Sequence, residues 1–169
     1  MRIYLSHPIM HNDFAGTFDY YDKVSRQLAW AGYEILNPMT GKDALREDGV
    51  CQRGVRDLPM CQDRAILGRD HWMTQRADVV YCNLIGADKV SIGCAIEVGW
   101  AYAYRPHTIL AMEQGNLHDH PMLMSAVDVR FETHEAAVDY LLNLIRQIER
   151  PLNGAAGSSH YLGGDGCLH

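Results

Sequence analysis

The chain has 169 residues, 47% apolar and 21% charged, with a formal charge of −6 at neutral pH. This length and composition fit one globular domain with a proper core and exclude a disordered chain. With an acidic balance and no basic patch, nothing points to a nucleic-acid polymer as partner, although a free nucleotide would need only a few donors.

The opening Met1-Arg2-Ile3-Tyr4-Leu5 lacks the apolar core of a signal peptide. No run approaches the roughly 18 apolar residues of a membrane span. The five cysteines are odd in number and scattered at 51, 61, 82, 94 and 167. They suit a reducing cytoplasm better than a disulfide framework, with Cys82 and Cys94 as small core residues. Cys51 and Cys61 stand too far apart for a zinc knuckle.

Residues 2–6 read as the first strand, 18–32 as an amphipathic helix ending near Gly32, and 33–37 as a second strand stopped by Pro38. Residues 39–59 mix Gly, Pro and charge and read as a long loop, a length that is often functional. A helix over 60–76 carries Asp70 and leads into a buried strand at 78–84. A helix at 93–104, a strand at 107–112, a polar loop at 115–121 and a short helix at 122–126 follow. A weak strand at 128–131 and a helix at 134–149 complete residues 1–150, and the Gly- and Ser-rich 151–169 reads as a flexible tail. The sum is an α/β fold. It is a single doubly wound, flavodoxin- or Rossmann-like, five-stranded parallel sheet with helices on both faces and ligands at the strands' carboxyl ends.

Within Ser91–Ala103 a single carboxylate, Glu97, interrupts an otherwise uncharged run of small residues. A carboxylate with little water around it costs free energy unless something uses it. On a helix, Gly93, Glu97 and Ala101 share one face, and a place near the helix start would favour the anion. Two readings stand side by side: a nucleophilic carboxylate, or a structural Glu that caps an amide or pairs with an Arg. Ser6, His7 and Pro8 follow the first strand, and Asn83, Asp88, Ser91 and Gly93 line the turn before Glu97. All belong to one sheet edge, so Ser6, His7, Asn83, Ser91 and Gly93 are candidate substrate contacts. For Asp70 the plain alternative is a solvated helix acid, for Tyr4 a core aromatic, and for His7 a structural loop histidine. Asp78 at a strand start reads as a cap. His118 and His120 flank Asp119, but without Cys or further carboxylates at ligand spacing they do not make a metal site.

Several segments taken together resemble the nucleoside 2-deoxyribosyltransferase-like superfamily. They are Ile3-Tyr4-Leu5 followed by Pro8, Asp70 spaced before Ala77-Asp78-Val79-Val80, and Ser91-x-Gly93-x-x-x-Glu97-Val98-Gly99-Trp100-Ala101. The strand His107–Met112 and the segment Pro121-Met122-Leu123-Met124-Ser125 also fit, so the resemblance runs through residues 1–147. It implies Glu97 as nucleophile at the anomeric carbon of a nucleoside, Asp70 as general acid/base toward the nucleobase, and Tyr4 as a donor that orients Glu97. It also implies no cofactor and a homo-oligomer with shared active sites, in which Ser125 enters from a neighbouring subunit. The small-molecule partners would be a nucleoside or nucleotide and a nucleobase.

The resemblance leaves the substrate open. Deoxyribosyltransferases acting on free nucleosides usually carry Asp six residues before the nucleophile. This chain carries Ser91 there, as do relatives that hydrolyse nucleoside 5′-monophosphates. A carboxylate would repel a 5′-phosphate, whereas a hydroxyl can donate to it. The loop after Tyr4 has no phosphate-holding arginine, which leaves Lys89 and Arg69 as substitutes. Three expectations follow: 2-deoxyribosyl transfer, hydrolysis of a nucleoside 5′-monophosphate, or a nucleotide-sensing module without turnover.

Overall fold

Three strands are buried along almost their whole length, and in a parallel sheet that marks covering on both faces. In the computed structural model these are β1 (Arg2–Ser6), β5 (Val79–Asn83) and β6 (His107–Ala111), the middle of a five-stranded sheet. The structure describes residues 1–10, 12–42, 46–47, 50–51 and 58–149. The expected tail at 151–169 lies outside them, as does much of the expected 39–59 loop. Outer strands β2 (Glu34–Leu36) and β7 (Val129–Phe131) give the order β2-β1-β5-β6-β7, with every pair parallel. Within the loop, β3 (Arg46–Glu47) pairs antiparallel with β4 (Val50–Cys51).

The helices are α1 (Phe14–Trp30), α2 (Asp63–Arg76), α3 (Ile92–Tyr104), α4 (Pro121–Ser125) and α5 (His134–Glu149). Helix α1 starts four residues earlier than its periodicity suggests, because Asp13 caps it by accepting a hydrogen bond from Gly16 N. It ends where Gly32 takes φ 108° and Tyr33 N donates back to Leu28 O. A short 3₁₀ turn at Pro59–Cys61 delays α2 to Asp63. Asp78 acts as the expected cap, its carboxylate accepting from Arg2 N at 2.7 Å.

Period-two alternation sorts the strand residues between two layers. Ile3, Leu5, Val79, Tyr81 and Ile109 pack with Tyr21, Val24 and Leu28 of α1 and with Leu141 and Ile145 of α5. On the other face, Tyr4 and Val80 pack with Met73 of α2 and Ala101 of α3. Beside them Cys82, Leu110 and Met112 meet Cys94 and Val98 of α3. The alternation therefore turns Tyr4 and Ser6 toward the face covered by α3. The order also reverses at β1 and β5, whose following helices α1 and α3 cover opposite faces. Such a reversal opens a crevice beyond the strands' carboxyl ends.

Ile109, fully buried at the centre of β6, tests this layering. Ile109→Ala is expected to lower stability by about 2–5 kcal/mol in urea denaturation. A loss below 1 kcal/mol would contradict its central packing.

Candidate active site

The crevice holds a cleft of about 1060 Å³. One wall is the loop after β1, including His7 and Pro8, and another is the turn from Ile85 to Ser91 with the first residues of α3. A third is α2, through Ile66, Leu67 and Asp70, with Lys42 beside it. Glu97 also lines the cleft.

Both oxygens of Glu97 are held from β1. Tyr4 OH donates to Oε1 at 2.7 Å and Ser6 Oγ donates to Oε2 at 2.5 Å. Tyr4 and Ser6 are two residues apart on one strand, so their side chains rise side by side to meet one carboxylate. Burial holds the Tyr4 phenol well above its ordinary value, so it remains an O–H donor. Ser6, proposed from its position as a substrate contact, is 1% exposed and engaged with Glu97.

Glu97 is the sixth residue of α3, past the first turn where the helix dipole acts most strongly. Its carboxyl is pushed up to about 7 from an ordinary 4.5, first by burial and further by the charge of Asp70. Hydrogen bonds from Ser6 and Tyr4 and the charge of Lys42 pull the other way. The expectation that the helix start keeps the anion stable thus gives way to a different balance: desolvation dominates, and the two hydroxyls limit it.

Asp70 is not a solvated helix acid. It is 7% exposed, and Lys42 Nζ, itself nearly enclosed, donates to its Oδ2 at 3.0 Å. Its Oδ1 is buried and has no hydrogen-bond partner among the described residues. Burial raises the Asp70 carboxyl above its ordinary value, with Lys42 opposing. Sequence reasoning misses Lys42 because it sits 28 residues from Asp70 in a stretch without periodicity. Turns at Asn37–Thr40 and Met39–Lys42 fold it under α2. Gly41 takes φ +74° there, and a Cβ on it would meet Met60 Cε at 2.6 Å.

The remaining candidates divide. His7, Ser91 and Gly93 line the cleft. The His7 ring lies against Tyr20, bonds through Nδ1 to Asn83 O and, by burial, is shifted below its ordinary value. It therefore adds no phosphate-binding cation at neutral pH. Ser91 caps α3 by accepting from Cys94 N, while its own N–H donates to His118 Nε2 at 2.7 Å. His118 thus pins the turn before α3. Asn83 is turned away, donating to Tyr20 OH and accepting from Ile85 N, and is not among the lining residues. Ser125 lies in a separate apolar groove of about 760 Å³ with Tyr102, Leu117 and Met122. Lys89 lines the cleft, whereas Arg69 does not and instead donates to Met60 O. Among the described residues no cluster of three or more His, Cys, Asp or Glu is placed to hold a metal. No described helix is long and apolar enough to cross a membrane.

The five-stranded parallel α/β architecture is shared with solved nucleoside-processing enzymes, and the chain has the 2-deoxyribosyltransferase fold. A 2-deoxyribosyltransferase from Bacillus psychrosaccharolyticus matches with a TM-score of 0.57 at 19% identity, over 86% of this chain and 96% of that one. A 2-deoxyribosyltransferase from Leishmania mexicana matches with 0.57 at 19% identity, over 84% and 97%. A CMP N-glycosidase from Clostridium botulinum matches with 0.52 at 17% identity, over 87% and 99%. No family model matches the sequence, and neither does any curated protein.

The raised Glu97 carboxyl has a consequence for stability. The protonated form is favoured in the folded chain, so the cost of ionising it is absent below about pH 4.5, grows as pH rises, and is complete above about 7. Glu97→Gln removes that cost. It should raise the unfolding temperature relative to the parent increasingly between those limits. A difference that stays constant with pH would contradict the raised carboxyl.

Proposed function

We propose that this chain cleaves the N-glycosidic bond of a 2′-deoxynucleoside or nucleotide through a covalent ester on Glu97, and passes the 2-deoxyribosyl group to a second nucleobase. The observation that carries the reading is Glu97 itself, a carboxylate at the cleft with both oxygens held by O–H donors. The chemistry follows that of a retaining glycosidase. A Glu97 oxygen bonds to C1′ as the C1′–N bond breaks, and the electron pair leaves with the base. Asp70 supplies the proton that neutralises the base and takes it back from the incoming one. Tyr4 and Ser6 fix the carboxylate's orientation. The likeness to two 2-deoxyribosyltransferases supports this choice of reaction.

A second reading, hydrolysis of a nucleoside 5′-monophosphate, is favoured by one feature. Ser91, Gly93 and the start of α3 line the cleft with Lys89, and a helix start with a hydroxyl and a cation suits a phosphate. The CMP N-glycosidase among the similar folds supports it. Incubation with a deoxynucleoside, or its monophosphate, plus a second base separates the readings. Exchanged base marks transfer, and free base with sugar phosphate marks hydrolysis. No product across a nucleoside and nucleotide panel would overturn both in favour of a sensing module.

Glu97→Ala is expected to abolish cleavage with an unchanged circular dichroism spectrum; retained activity would refute the nucleophile. Because the anion is the reactive form, kcat/KM should rise with pH along a limb whose midpoint lies at about 7. The Ser6 hydroxyl holds that carboxyl down, so Ser6→Ala should move the rising limb to higher pH. An unmoved limb would show that Glu97 does not set it.

The reading extends to assembly. Met122, 77% exposed, and the apolar groove beside α4 support a homo-oligomer in which Ser125 approaches a neighbour's cleft. Sedimentation velocity at micromolar concentration should give a dimer or larger species, and a monomer would overturn it.

A further inference from the structure

The α2 side of the cleft has chemistry that a nucleophile and a single acid leave unexplained. Lys42 is 4% exposed, which for a lysine requires a partner. Asp70 supplies one through Oδ2, and its buried Oδ1 has no partner among the described residues. Both residues line the cleft. Ile66 and Leu67, one turn earlier on α2, line the same side and give an apolar wall beside the polar pair. An apolar wall with an adjacent cation and an unengaged carboxyl oxygen matches a planar heteroaromatic ring that carries hydrogen-bonding groups along its edge.

We propose that Lys42 is a catalytic residue on the leaving-group side, donating through Nζ to the edge of the departing nucleobase and supporting the negative charge that develops there. The proposal rests on the N-glycoside reading above. As the C1′–N bond breaks, its electron pair moves into the base ring, where keto oxygens and ring nitrogens take up the charge. A cation in hydrogen-bond contact with that edge gains attraction as bond breaking proceeds, so it stabilises the transition state more than the bound substrate. The proton that finally neutralises the base still comes from Asp70 in its protonated form, which burial favours, and it is carried on the Oδ1 that Lys42 leaves unengaged. Lys42, 3.0 Å away, favours its release by stabilising the carboxylate that remains. The Lys42 charge also acts on Glu97. Influence on the nucleophile alone would aid every substrate equally, whereas contact with the leaving group aids most those bases that leave poorly.

That difference is the test. A series of 2′-deoxyuridines bearing hydrogen, fluorine or a nitro group at C5, as nucleosides and as 5′-monophosphates, grades the acidity of the departing base with little change in shape. For Lys42→Met, kcat/KM should fall about 100-fold or more on the unsubstituted base. On the nitro compound the fall should be at least tenfold smaller. Lys42→Gln, a neutral donor, should lie between. Ratios between substrates do not depend on the fraction of folded enzyme, so partial misfolding of one variant does not mimic the result, and Lys42→Gln serves if Lys42→Met fails to fold. An equal loss on all substrates would overturn the proposal while leaving the N-glycoside reading standing. If the parent cleaves purine rather than uracil nucleosides, 2′-deoxypurine nucleosides bearing hydrogen, fluorine or chlorine at C2 grade the leaving group in the same way. A parent that cleaves no nucleoside or nucleotide of either base class would overturn that reading, and the proposal with it.

Discussion

The structure depends on one tie across its layers: the carboxyl of Glu97 on α3 accepts hydrogen bonds from Tyr4 and Ser6 on β1. Helix and strand are joined through 91 and 93 residues of sequence separation, at the point where the strand order reverses. A buried carboxyl without partners would be a liability of several kcal/mol or would simply stay protonated. Two O–H donors reduce that cost without adding a full positive charge. The result is a carboxyl at about 7, poised between its two forms at neutral pH. That compromise is what the proposed nucleophilic role requires, because strong ion pairing would stabilise the anion but blunt its attack.

The same principle is used differently on the opposite side of the cleft. Asp70 faces a full cation rather than hydroxyls, and one of its oxygens is left over. The two carboxyl groups therefore occupy environments of opposite character, one neutral and donor-rich, the other ionic and incompletely satisfied. Differentiated environments are how two acids in one cleft take different roles. The turn between them is held by His118, whose Nε2 accepts from Ser91 N while Nδ1 faces Asn116 Oδ1. In the sequence His118 stands with His120 beside Asp119, weighed there as a metal site; in the structure its ring fixes the entry of α3.

How much of this was legible beforehand differs from residue to residue. The apolar runs of β1, β5 and β6 and their alternation with helices specified the parallel sheet, because burial on both faces demands such runs. The lone carboxylate among small residues points to Glu97, which the structure places at the cleft, held by Tyr4 and Ser6 rather than by the helix start. Asn83 looked like a cleft residue by its place at a strand end, yet its side chain satisfies Tyr20 and the Ile85 amide instead. Which way one side chain turns at a strand's last residue depends on neighbours that local pattern does not reveal.

The sequence by itself determined the layers, the strand order's plausibility and the chemical types at the sheet's carboxyl edge, since periodicity and turn chemistry are local properties. Only the tertiary structure decided the partnerships: Tyr4 and Ser6 with Glu97, Lys42 with Asp70, and His118 with Ser91. Each joins residues 27 or more positions apart. Their meeting is set by sheet order and helix packing, and so are the burial and charge that tune the groups.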